Sequence, residues 1–214
     1  DPLWSRGLGD VYKRQPLALK VKRKEDIAST PPQISNDSKK ILEWNARLGP
    51  KKGRLRVGIT WNGNPLFKKD GLRSLSLLDF MGCLPSDDVE YVSLQQAIKP
   101  DDEATVAKSS GIKFFHGDIF NFSDTAALVE NMDLIITTCT SIAHLAGSLN
   151  KPCWVLLPFA PDWKWFTEST QSPWYPSVKL FRQPKYKDWG SVFLSIKNEL
   201  AKLASQTPRL SSGI

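Results

Sequence analysis

The distribution of apolar residues changes character near residue 54. Before it they are mostly isolated. After it they gather into short runs separated by segments of helical spacing. RLRVGITW (54–61), VEYVSLQ (89–95), IKFFHG (112–117), DLIITTC (133–139), PCWVLLP (152–158) and VKLFRQ (178–183) read as strands. They are near-continuous apolar runs, as strands covered on both faces require. Between them SLLDFMGCL (76–84), DDEATVAKSSG (101–111), SDTAALVENM (123–132) and TSIAHLAGSLN (140–150) read as helices, with Gly111 stopping the second and Ser123 capping the third. DWGSVFLSIKNELAKLA (188–204) closes the series as an amphipathic helix. Strands alternating with helices of about ten residues are the signature of βαβ crossovers. The fold class this predicts is α/β, with a doubly wound, mostly parallel sheet.

Residues 1–35 offer no face to bury. DPLWSRGLGDVYKRQ (1–15) fits a tag, a linker or a sequencing artefact. Residues 16–35, with Pro16, Pro31, Pro32 and the run KVKRKED, read as an extended connector, the remnant of a preceding domain. Asn36 or Asp37 then caps a connecting helix, SKKILEWNARLG (38–49), with an apolar stripe of Ile41, Leu42, Trp44 and Leu48. The expected division is therefore an irregular segment (1–35), a helix and linker (36–53), one domain (54–204) and a disordered tail (205–214).

Charge changes the picture only once it is divided. The net charge is +7, but residues 1–56 carry 14 Lys and Arg against 6 Asp and Glu, leaving 15 against 16 for residues 57–214. The basic excess lies outside the domain, whereas a nucleic-acid reader carries it on the folded face; nucleic acid is not an expected partner. The apolar runs are too short to span a bilayer, so no transmembrane segment is expected. Three scattered cysteines without a C-x-x-C pair, and two histidines, argue against zinc and fit a reducing, cytoplasmic setting. The chain begins at Asp1 rather than Met, as a fragment would.

In a doubly wound sheet ligands collect beyond the carboxyl ends of the strands. Three such ends carry suitable chemistry. ITWNGNP (59–65) runs into Asn62, Gly63 and Asn64, where Gly63 permits a sharp turn and close approach by a ligand. The loop that follows adds Lys68, Lys69 and Arg73, cations suited to an anion. An ordinary Asn-Gly turn and a solvated charge run stay open beside that reading. VSLQ (92–95) ends in Ser93 and Gln95, which fit a base or sugar edge or a plain solvated terminus. The third end is the richest: Thr137, Thr138, Thr140 and Ser141 place four hydroxyls where a helix begins. Helix N-termini present free N–H groups and a positive dipole end to an anion. His144 follows one turn later, and Ala143, Ala146 and Gly147 suit close packing on the sheet. A helix capped by Thr140, without a ligand, is the competing reading. Neither G-x-x-x-x-G-K-[ST] nor G-x-G-x-x-G occurs. The aromatic segments PFAPDWKWF (158–166) and SPWYP (172–176) fit a cleft wall, a domain contact or core packing.

Taken in order, ITWNGNP (59–65), RSLSL (73–77), YVSLQ (91–95), FSDTAALVENMDLIIT (122–137), TSIAHLAGSLNKPCWVLLPFAPDWKW (140–165) and SPWYPSVKLFRQP (172–184) resemble a known family. They look like the C-terminal domain of bacterial glycosyltransferases associated with tetratricopeptide repeats. Those domains are similar to the heptosyltransferases (glycosyltransferase family 9) and to the O-linked N-acetylglucosamine transferases. The resemblance covers about residues 50–204 and implies a Rossmann-like, donor-binding C-terminal half of a GT-B glycosyltransferase. It implies an inverting, metal-independent hexosyl or heptosyl transfer, with no cofactor and a nucleotide-diphosphate sugar as donor substrate. By that resemblance Thr138, Thr140, Ser141 and His144 contact the donor diphosphate. Asn62, Gly63, Asn64, Lys68 and Arg73 line the cleft, and Ser93 and Gln95 lie near the nucleoside. The acceptor site and catalytic base are implied for a missing N-terminal domain, so the fragment alone is expected to be inactive. Many members carry Asp where this chain has Cys139, so no role transfers to that position.

Overall fold

A computed structural model describes residues 20–27, 34–51, 55–85 and 88–208. Half of the expected connector (16–19 and 28–33) and all of residues 1–15 lie outside them. Six strands form one parallel sheet: β1 (Leu55–Thr60), β2 (Val89–Ser93), β3 (Ile112–Lys113), β4 (Leu134–Thr138), β5 (Cys153–Leu157) and β6 (Val178–Arg182). Their spatial order is β3-β2-β1-β4-β5-β6, with every pairing parallel. This is the doubly wound order, and it reverses between β1 and β4. The strands are buried on both faces, as their apolar runs require.

The helices are α1 (Ser38–Leu48), α2 (Leu77–Met81), α3 (Pro100–Lys108), α4 (Phe122–Glu130), α5 (Ser141–Ser148) and α6 (Trp189–Gln206). Alternate residues of a strand point to opposite faces, and the core divides accordingly. Ile135 joins α1, α4 and α5 through Trp44, Leu128 and Ala143. Leu134 and Ile136 join α2 and α6 through Phe80, Ile196 and Leu200. Asp37 caps α1 by accepting from the Lys39 and Lys40 N–H groups, and Gly49, at φ 70°, ends it. Lys40 meets Asp124 at 2.6 Å, tying α1 to α4. Among the described residues no helix is long and apolar enough to cross a membrane.

Several element ends differ from expectation for local reasons. The third strand is two residues long because it lies at the sheet edge. Phe115 instead packs edge-on against Trp44, ring centres 5.5 Å apart. The helix expected at 101–111 starts at Pro100, whose fixed φ suits a first helical position, and gives way at Ser109 rather than Gly111. Asn121, not Ser123, caps α4: it accepts from Asp124 N while Asp124 accepts from Asn121 N, a capping box. The last helix continues through Gln206, two residues into the expected tail.

Candidate functional site

The loops leaving β1 and β4 face each other where the strand order reverses. Between them and the β2 end lies a cleft of about 810 Å³. Its floor is shaped by a buried carboxylate. Asp102 Oδ2 accepts from Trp61 Nε1 and Asn62 Nδ2, both at 2.7 Å, and Oδ1 accepts from Leu77 N at 2.9 Å. Gln95 clamps the same loop, its Oε1 accepting from Asn62 N and its Nε2 donating to Asn62 O. Ser93 is fully buried and accepts from Gln95 N. Asn62, Ser93 and Gln95 therefore set the loop's shape with groups that a ligand edge would otherwise meet. Asn62, Gly63, Asn64 and Gln95 line the cleft; Ser93 does not.

Gly63 has a structural use that the sequence reading did not foresee. A Cβ there would collide with the Asp70 carboxylate and the Arg73 guanidinium, so the missing side chain makes room for an ion pair. Asp70, almost fully buried, accepts from Arg73 Nε (3.1 Å), Ser74 Oγ (2.7 Å) and Lys99 Nζ (2.8 Å). Burial pushes its carboxyl up, but the bonds from Lys99, Ser74 and Arg73 and the Lys99 charge outweigh it and hold it below the usual range. The network anchors two cations at the cleft. Arg73 also crosses to the β4 loop, where Nη1 donates to Cys139 O at 2.5 Å.

On the β4 side, Thr140 occupies the N-cap of α5, but its side chain makes no capping bond. Its hydroxyl lies 3.1 Å from that of Thr137. Thr140 thus takes the N-cap position without the side-chain bond of a usual cap, and Thr140, Ser141 and Ile142 line the cleft. Thr60, at the end of β1, is 3% exposed and lines it too. The Thr60 hydroxyl is buried without a hydrogen-bond partner among the described residues. Such orphans are costly and point to a missing partner. Thr138 has the same orphaned hydroxyl but is fully buried and does not line the cleft.

His144 is not brought to the cleft. Its ring stacks on Trp165, centres 5.3 Å apart, and Nδ1 lies 3.1 Å from the Tyr175 hydroxyl. Burial, then the charge of Lys164, lower its pKa to about 4 against a smaller opposing pull from Asp162. At neutral pH it is uncharged. Gly147 likewise makes room for the Tyr175 ring rather than for the sheet. Cys139 has a role after all: its Sγ accepts from Trp165 Nε1 at 2.9 Å, fixing the β4 loop to the aromatic segment. Of that segment Trp165 is core, while Pro158, Ala160 and Pro161 wall a second cleft of about 720 Å³. Lys68 and Lys69 lie in this second cleft, and Arg73 borders both.

The sequence reading missed Thr60, Lys99, Phe120 and Phe122 as cleft residues. Thr60 was legible as a polar residue ending an apolar strand. Lys99 gave no local signal, because its partner Asp70 lies 29 residues away. Among the described residues no group of three or more His, Cys, Asp or Glu is placed to hold a metal ion.

Comparison with known proteins supports the fold. No family model matches the sequence. Protein FlbA of Caulobacter vibrioides is 24% identical over 177 residues, which are 80% of this chain and 29% of FlbA. The E. coli ADP-heptose LPS heptosyltransferase II superposes with a TM-score of 0.56 at 14% identity, covering 85% of this chain and 56% of that one. A glycosyl transferase family 9 structure from Veillonella parvula gives 0.51 at 14% identity, covering 82% and 52%. The chain thus spans under a third of FlbA and about half of each structure. The shared architecture is the α/β, Rossmann-like one.

Proposed function

We propose that this chain is the donor-binding half of an inverting, metal-independent glycosyltransferase, taking a nucleotide-diphosphate sugar. The observation that carries the reading is the position and lining of the first cleft. It opens at the strand-order reversal, and it brings the N-terminus of α5, Arg73, Lys99 and the orphaned Thr60 hydroxyl to one place. Each suits an anion with several acceptor oxygens. The likeness in fold to a heptosyltransferase and a family 9 glycosyl transferase favours a sugar donor over other phosphate ligands.

The chemistry follows from charge. As the glycosidic bond to the donor breaks, negative charge builds on the leaving diphosphate. Fixed donors and cations at that spot favour the transition state over the ground state, because they need no reorganisation. Arg73 is held by Asp70 and Cys139 O, and Lys99 by Asp70, so both are pre-positioned. The acceptor site and its general base belong to a further domain. Exposed apolar residues at the carboxyl end of the sheet, including Leu66, Phe67, Phe120, Phe122, Phe159 and Trp163, support such a partner, since apolar rims mark surfaces that become covered. Calorimetric titration of UDP- and ADP-sugars tests the reading; a chain that binds no nucleoside diphosphate refutes it.

A further inference from the structure

The second cleft has a chemistry of its own. Its charged side chains are Lys68, Lys69, Arg73 and Lys164 against Asp162. Asp70 compensates Arg73. Among the described residues no carboxylate forms an ion pair with Lys68, Lys69 or Lys164, and Asp162 accepts from the Lys164 N–H instead. Apart from Cys139, whose Sγ already accepts from Trp165, the uncharged lining is apolar: Leu66, Phe67, Leu72, Pro158, Ala160 and Pro161. A neutral sugar presents hydroxyls that donate as well as accept. Asp162 is the one side chain in this lining whose oxygens accept, so neutral hydroxyls are poorly served. Three lysines beside apolar side chains instead suit a group that only accepts and is charged.

We infer that the second cleft is a separate subsite for an oxyanion, carboxylate or phosphate, carried on a sugar-sized frame. Because Arg73 borders both clefts, the acidic group would lie next to the donor diphosphate; that adjacency rests on the function proposed above, whereas the preference for an anion does not.

Amide NMR of the 214-residue chain, titrated with glucuronate, glucose 6-phosphate and glucose, tests it. The two acids are expected to shift amides of residues 66–72 and 158–164, and glucose is not. A shift by one acid alone identifies the carboxylate or the phosphate as the source. Raising salt from about 20 to about 200 mM should weaken the response several-fold, since Lys68 and Lys69 are solvent-facing. Lys69→Gln combined with Lys164→Gln should weaken it about tenfold. Equal shifts with glucose, no shift with either acid, or shifts confined to the amides of residues 140–142 would each overturn the inference. UDP and ADP are followed in the same spectra through Asn64, Gln96 and Ser141. If they fail to bind while the acids do, the proposed function falls and the subsite stands.

Discussion

His144 offers the most quantitative test of how the aromatic segment supports the site. Its pKa falls from 6.5 to about 4 in the folded chain. Burial against Trp165 and Tyr175 is the main cause, and the Lys164 charge adds to it while Asp162 opposes. A lowered value means that the unfolded chain takes up the proton first as pH falls. The neutral ring's contribution is fully present above about pH 6.5 and is lost progressively down to about pH 4. A shift of about 2.5 units at about 1.4 kcal/mol each amounts to about 3 kcal/mol over that window. Urea denaturation at pH 7, 6 and 5 reads it as a fall in stability of about 1 kcal/mol per unit. The depressed carboxyls of Asp70 and Glu90 contribute only lower, because their ordinary values are 3.8 and 4.5. His144→Phe keeps an aromatic ring on Trp165 and removes the titration, so its curve should be flatter by that amount. Equal slopes in the two proteins would refute the reasoning.

Replacing Thr140 and Ser141 by Ala should, on the proposed function, weaken diphosphate binding more than nucleoside binding in calorimetry. An equal loss for both would reduce the loop to scaffold. Asp102→Ala strands three donors around one buried site, and thermal denaturation should show a loss of about 3 kcal/mol or more. Gly63→Ala should break the Asp70–Arg73 contact and weaken anion binding at least several-fold while circular dichroism stays unchanged; wild-type affinity would mean that the pair does not position Arg73. Trp165→Ala removes a fully buried ring and the partner of Cys139, at a cost of about 3–5 kcal/mol by urea melts. The 214-residue chain, supplied with donor and acceptor, should yield no transfer product in a chromatographic assay; turnover would place the catalytic base within it.

The parallel sheet was legible because apolar runs of strand length alternated with helix-period segments, but the strand order was not, since the same alternation serves more than one doubly wound order. What was not legible depended on contacts distant in sequence. Gly63 was legible as a glycine that permits close approach, but not as one that leaves room for Asp70 and Arg73. His144 follows a hydroxyl-rich helix start and so resembles a phosphate contact. Its neighbours Trp165 and Tyr175 come 21 and 31 residues later, and nothing local announces them. Cys139 was set aside for lacking an acid, although an indole N–H needs only an acceptor. Thr140 and Ser141 were legible as a run of hydroxyls at a strand–helix junction, and both line the first cleft.

The central claim concerns the first cleft and is tested most directly by one calorimetric experiment. UDP, ADP and their sugar conjugates are titrated into the chain and into Arg73→Gln, with EDTA present throughout. The account predicts one-to-one binding of at least one nucleoside diphosphate without added metal, weakened about tenfold or more in Arg73→Gln. Absence of binding for all of them, or affinity unchanged by the substitution, would contradict it.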